Sequence, residues 1–97
     1  MKVVLKPSAE YTIVSIADYI SATIQMPETA IKYVDKLLQF AESLGNTSNA
    51  FTLCKYPNWK RRKLHCVTFD KTWIFAFRVI QNKLVIFHIK NGKLLNY

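Results

Sequence analysis

At 97 residues, with 51% hydrophobic residues and only two glycines and three prolines, the chain has the composition of one folded domain, which excludes a disordered or linker-rich polymer. Its net charge of +8 is unevenly placed: residues 55–97 hold ten Lys and Arg against the single acid Asp70, a net +9, whereas residues 1–54 hold four cations against five acids, a net −1. One strongly basic half points to a polyanionic or acidic partner, and the lack of a long apolar run or a signal-like start predicts a soluble cytosolic protein without membrane contact.

Residues 2–6 alternate in polarity and stop at Pro7, which predicts a short strand. Ser8 offers an N-cap to a helix over residues 8–24, where Ile13, Ile16, Ala17, Ile20 and Ile24 fall on one face. Pro27 and Glu28 suit the first turn of a second helix, in which Ala30, Val34, Leu37, Leu38, Ala41 and Leu44 keep the helical period up to Gly45. The Gln25-Met26 link is short enough to force the two helices into an antiparallel hairpin. Residues 46–50 read as a loop, and three segments rich in aromatic and β-branched residues follow, over 63–69, 73–80 and 83–90. Gln81-Asn82 supplies a two-residue hairpin turn, and Asn91-Gly92 ends the last strand. The expected fold class is α+β, in the order β-α-α-β-β-β, with the helix hairpin on one face of a small, mainly antiparallel sheet.

Regular alternation about the Gln81-Asn82 turn places Trp73, Phe75, Phe77, Val79, Leu84, Ile86, His88 and Lys90 on one face. The other face receives Ile74, Ala76, Arg78, Ile80, Lys83, Val85, Phe87 and Ile89. A helix hairpin covers only one face of a small sheet, so the apolar residues Ile74, Ala76, Ile80, Val85, Phe87 and Ile89 require cover from the tail, the 46–62 segment, a second copy or a partner. Cys54 and Cys66 lack metal-ligand spacing and read as buried or incidental thiols. Zinc held by Cys54, His65, Cys66 and His88 is disfavoured because adjacent strand residues point to opposite faces, so neither metal nor cofactor is expected.

The run Lys60, Arg61, Arg62, Lys63, preceded by Tyr56 and Trp59, reads as a solvated loop able to grip a phosphate backbone. Arg78, Lys90 and Lys93 extend that basic surface toward the C-terminus. Among the histidines, His88 reads as a partly buried structural residue beside Phe75, and His65 as the better chemical candidate.

This order of elements, with Ala17-Asp18-Tyr19-Ile20 in the first helix, Pro27-Glu28-Thr29-Ala30 opening the second, Leu44 closing it, and the runs from Phe77 to Ile80 and from Lys83 to Lys93, resembles the RelE/ParE superfamily of type II toxins. The resemblance implies a growth-inhibiting toxin neutralised by an acidic cognate antitoxin that wraps its apolar surface in a toxin–antitoxin hetero-oligomer. Two branches imply different targets. RelE-like members are ribosome-dependent mRNA endonucleases, whereas ParE-like members poison DNA gyrase.

Cleavage by 2′-OH attack requires a base, a cation for the phosphorane and an acid for the leaving oxygen. An ungapped match puts Ile74 where RelE-like nucleases carry a phosphate-gripping arginine, and their tail arginine near Leu94, beside Lys93. Lys63-Leu64-His65 followed by Asp70-Lys71-Thr72-Trp73-Ile74 resembles a histidine-using branch, with Tyr97 as a terminal aromatic that stacks on a base. The resemblance favours a ParE-like gyrase poison; the alternative is a metal-independent endoribonuclease using His65, Asp70, Arg61, Arg62, Lys93 and Tyr97. A third reading is a basic nucleic-acid-binding module.

Overall fold

The computed structural model describes residues 1–46 and 52–94. Strand β1 (Lys2–Leu5) leads into helices α1 (Pro7–Ile24) and α2 (Pro27–Leu44); a short helix α3 (Pro57–Arg61) then precedes strands β2 (His65–Phe69), β3 (Trp73–Ile80) and β4 (Lys83–Asn91) and a 3₁₀ turn, Gly92–Leu94. The expected α+β order is the one observed, with α3 added inside the segment read as loop. Residues 47–50 and Tyr97 lie outside the described residues.

Local chemistry sets the helix ends. Pro7 occupies the first helical position, where its missing N–H costs nothing, so the N-cap is Lys6 and Ser8 lies within the helix. Gln25 closes α1 in a left-handed conformation (φ 58°, ψ 32°), its N–H donating to the Ser21 carbonyl, and Pro27 restarts the chain as α2. At the far end of α2 the Met1 ammonium donates to the Gly45 carbonyl at 2.8 Å, which ties the start of β1 to the helix hairpin. Gly45 permits that approach because a Cβ there would lie 2.5 Å from the Met1 carbonyl oxygen.

The sheet order is β1-β4-β3-β2, with β1 parallel to β4 and the other pairs antiparallel. Gln81 and Asn82 both take positive φ, 50° and 62°, the left-handed pair that a two-residue hairpin needs, here without glycine. Register departs from regular alternation: Phe77 pairs with Ile86 but Ala76 pairs with His88, which leaves Phe87 as an extra residue in a β-bulge. The bulge flips every later side chain of β4. Ile89 therefore joins the core beneath the helices, and His88 and Lys90 move to the opposite face, where Ile74 and Ala76 lie.

Both faces are covered by the chain itself. Leu37, Phe75, Phe77, Leu84, Ile86 and Ile89 are fully buried between the helix hairpin and one face. Burial of each such side chain contributes about 1.5–3 kcal/mol. On the second face Cys54, Trp59 and Leu64 pack against Ile74 and Ala76, with Tyr56, Cys66 and Phe87 at the margin. The apolar face expected to await an antitoxin is thus largely sealed: Ile74, Ala76, Val85 and Ile89 are buried, Phe87 is half-buried, and Ile80 alone of the six is exposed. The cysteines correct another expectation, because Cys54 and Cys66 form a disulfide that pins the start of this cap to β2. Cap backbone continues the pinning, with Cys54 N–H donating to the Leu64 carbonyl and Cys66 N–H to that of Thr52.

Candidate functional site

With the second face sealed, the open apolar surface lies elsewhere. A groove of about 640 Å³ runs between α1 and the ends of β3 and β4, lined by Tyr11, Ser15, Tyr19, Tyr33, Trp73, Lys90 and others. Tyr11, Ser15 and Tyr19 recur every four residues, so they form a second stripe on α1, out of phase with the buried Ala9, Ile13 and Ile16. Tyr11 is 75% exposed and Tyr19 69%, a degree of aromatic exposure that the core does not explain. The groove floor is held by polar contacts: the Trp73 indole N–H donates to the Tyr33 hydroxyl at 3.0 Å, and that hydroxyl donates to Asp70 at 3.4 Å. Burial raises the Tyr33 pKa; the Trp73 bond opposes this, and the Asp70 charge adds to it.

The cap makes the basic surface. Lys60 and Arg61 stand in α3, Arg62 and Lys63 in the turn after it, and all four are exposed. Five of the six acids sit in α1 or α2 and the sixth, Asp70, contacts Tyr33, so the cap carries cations without a carboxylate of its own. Beneath the cap, His88 stacks on Trp59 with centroids 5.5 Å apart and planes 5° from parallel. Its Nε2 lies 3.2 Å from an Arg62 Nη1 and its Nδ1 lies 3.1 Å from the Ser8 hydroxyl. Arginine only donates, so Nε2 accepts and Nδ1 carries the proton. Burial, then the charges of Arg62 and Lys90, lower the His88 pKa and so favour the neutral ring.

The residues expected to act together as a nuclease are dispersed. His65 pairs with Phe77 and shares its helix-side face, with ring centroids 6.0 Å apart, whereas Arg62 contacts His88 on the opposite face. Four strand steps, about 13 Å, separate His65 from Phe69, and Asp70 starts the turn beyond. Gly92 N–H donates to the Thr72 carbonyl, which places Lys93 near the Asp70 end of β2. Ile74 is buried under the cap, so no cation occupies that strand position. The four residues weighed for zinc are not assembled as ligands: the two sulfurs are bonded to each other and the two histidines lie on opposite faces. Arg78 and Lys90 are exposed on β3 and β4.

Sequence reasoning missed the groove and the His88 cluster. The groove was signalled by Tyr11 and Tyr19, aromatic residues off the buried stripe. The cluster depends on the bulge at Phe87, for which a run of continuous apolar residues offers no mark.

No protein-family model matches the chain, and no curated protein does either. Among solved structures, a chain of one described as "Chromosomal ParDE TA system from P. aeruginosa" is similar, with a TM-score of 0.77 at 20% identity over 94% of this chain and 95% of that one. The two share one fold. Among the described residues no helix is long and apolar enough to cross a membrane.

Proposed function

We propose that this chain is the toxin of a type II toxin–antitoxin pair, that its antitoxin lays an apolar segment into the Tyr11, Tyr19, Tyr33 and Trp73 groove, and that it acts as a ParE-like poison of DNA gyrase without nuclease chemistry. Fold similarity to a chain of a ParDE assembly supports the toxin reading. The observation that carries the non-nucleolytic reading is the separation of His65 from Asp70 and Lys93 along β2, with Arg62 held on the opposite face. General acid–base catalysis needs its groups within hydrogen-bond reach of one reacting phosphate. A net charge of +8 favours an acidic antitoxin, with the cationic cap guiding its approach.

Induced expression tests this. The expected result is growth arrest, inhibition of purified gyrase, uncut mRNA on translating ribosomes, and full arrest from His65→Ala. Ribosome-dependent cleavage that His65→Ala abolishes would overturn it in favour of the endonuclease reading, which draws its support from the acid-free run Lys60, Arg61, Arg62, Lys63.

A further inference from the structure

The arrangement around His88 leaves donors on either side of the ring without an acceptor. Because Nδ1–H donates to the Ser8 oxygen, the Ser8 hydroxyl proton has no acceptor among the described residues. Arg62 spends one N–H on Nε2 and keeps four. Lys6 and Arg62 both reach the Phe87 ring, with Nζ 5.8 Å and Cζ 5.4 Å from its centroid, and Lys90 lies close enough to depress the neighbouring imidazole. Three cations gathered around one aromatic and one neutral histidine repel one another, and no carboxylate is paired with any of them among the described residues.

We propose that Ser8, Arg62 and His88, flanked by Lys6 and Lys90, form a binding site for a phosphate group. Donors come from α1, from the turn after α3 and from β4, and a phosphate, with its several acceptor oxygens and higher charge, suits separated donors better than a carboxylate does. His88 is the spacer: its two ring nitrogens hold the serine and the arginine on either side, and the stacked Trp59 fixes the plane of the ring. The groups facing it are Ser8 from α1, uncharged Trp59 from α3, Arg62 from the following turn, Ala76 from β3 and Lys90 from its own strand, none of them an acid. A bound phosphate offsets the field that favours the neutral imidazole and takes the place of Arg62 at Nε2, which can then carry a proton, so protonation of His88 strengthens binding.

The chain has two histidines, and His65 on the other face is an internal control. Histidine-labelled protein is titrated with inorganic phosphate, and with sodium acetate and sodium chloride at matched ionic strength, while both rings are followed by NMR. Phosphate is expected to shift His88 saturably, leave His65 in place and raise the His88 titration midpoint. Arg62→Gln is expected to weaken binding by about tenfold or more, the loss typical of a charge-assisted bond. Lys6→Ala, an exposed change that spares the cap, is expected to weaken it about threefold. A short oligonucleotide that shifts His88 at lower concentration than free phosphate assigns a nucleic-acid backbone as the source; equal or weaker action assigns free phosphate. Equal responses to acetate or chloride, equal movement of both histidines, or unchanged phosphate binding by folded Arg62→Gln and Lys6→Ala would overturn the site.

Discussion

Trp59 and His88 lie stacked, 5.5 Å between ring centroids, and this contact joins the cap to the one strand that pairs with both β1 and β3. The indole also meets Tyr56 edge-on at 5.4 Å, so a single side chain organises the cover of the second sheet face. Trp59→Ala removes most of a buried aromatic and is expected to cost about 3–5 kcal/mol. Urea denaturation reads the loss, and increased binding of a hydrophobic dye at low urea distinguishes an opened cap from a uniformly weakened core.

The Cys54–Cys66 bond closes a loop with a sequence separation of 12 around α3. A loop of that length is expected to contribute about 3 kcal/mol by restricting the unfolded chain. Reduction, or the Cys54→Ser and Cys66→Ser pair, should lower the melting temperature and expose the cap to protease before the helix hairpin. An identical melt with and without reductant would refute this.

Acid should weaken the fold through His88. Its folded pKa lies below the ordinary 6.5, so the unfolded chain binds the proton first as pH falls. The native advantage is whole above that ordinary value, shrinks as pH drops below it, and levels off beneath the folded pKa. Urea midpoints measured from pH 7.5 down to 5 should show this decline, and His88→Gln should flatten the part of it that begins near neutrality.

Tyr11 and Tyr19 are solvent-facing residues of the groove, so Tyr11→Glu with Tyr19→Glu should change stability by no more than about 0.5 kcal/mol per site. The same pair is expected to abolish co-purification with the antitoxin. Retained capture by the folded double variant would move the antitoxin to another surface.

Gly45→Ala puts a methyl group 2.5 Å from the Met1 carbonyl oxygen and 2.8 Å from Val3 Cγ2. One of these is backbone, so β1 has to shift, at an expected cost of about 1–3 kcal/mol. Calorimetry checks the loss, and deuterium exchange should show faster opening in β1 and the end of α2 than in β3.

Much of the architecture was legible because it rests on short-range patterns. The stripe containing Ile13 and Ile16, the prolines at 7 and 27, and the Gln81-Asn82 turn each act within a few residues, and so does the charge of the basic half. Periodicity erred at two helix positions it assigned to the core, Ile24 and Leu38, which are exposed.

What the chain writes locally is therefore the order of elements, most of the helix-facing core and the uneven charge, since these follow from residue spacing alone. Packing over long separations decided the rest: the bulge at Phe87 reassigned His88, Lys90 and Ile89, the 52–64 segment folded back to close the second face, and Ser8 met His88 across 80 residues. Those outcomes depend on which surfaces remain uncovered after the helices dock, a competition settled only once the whole chain is compact.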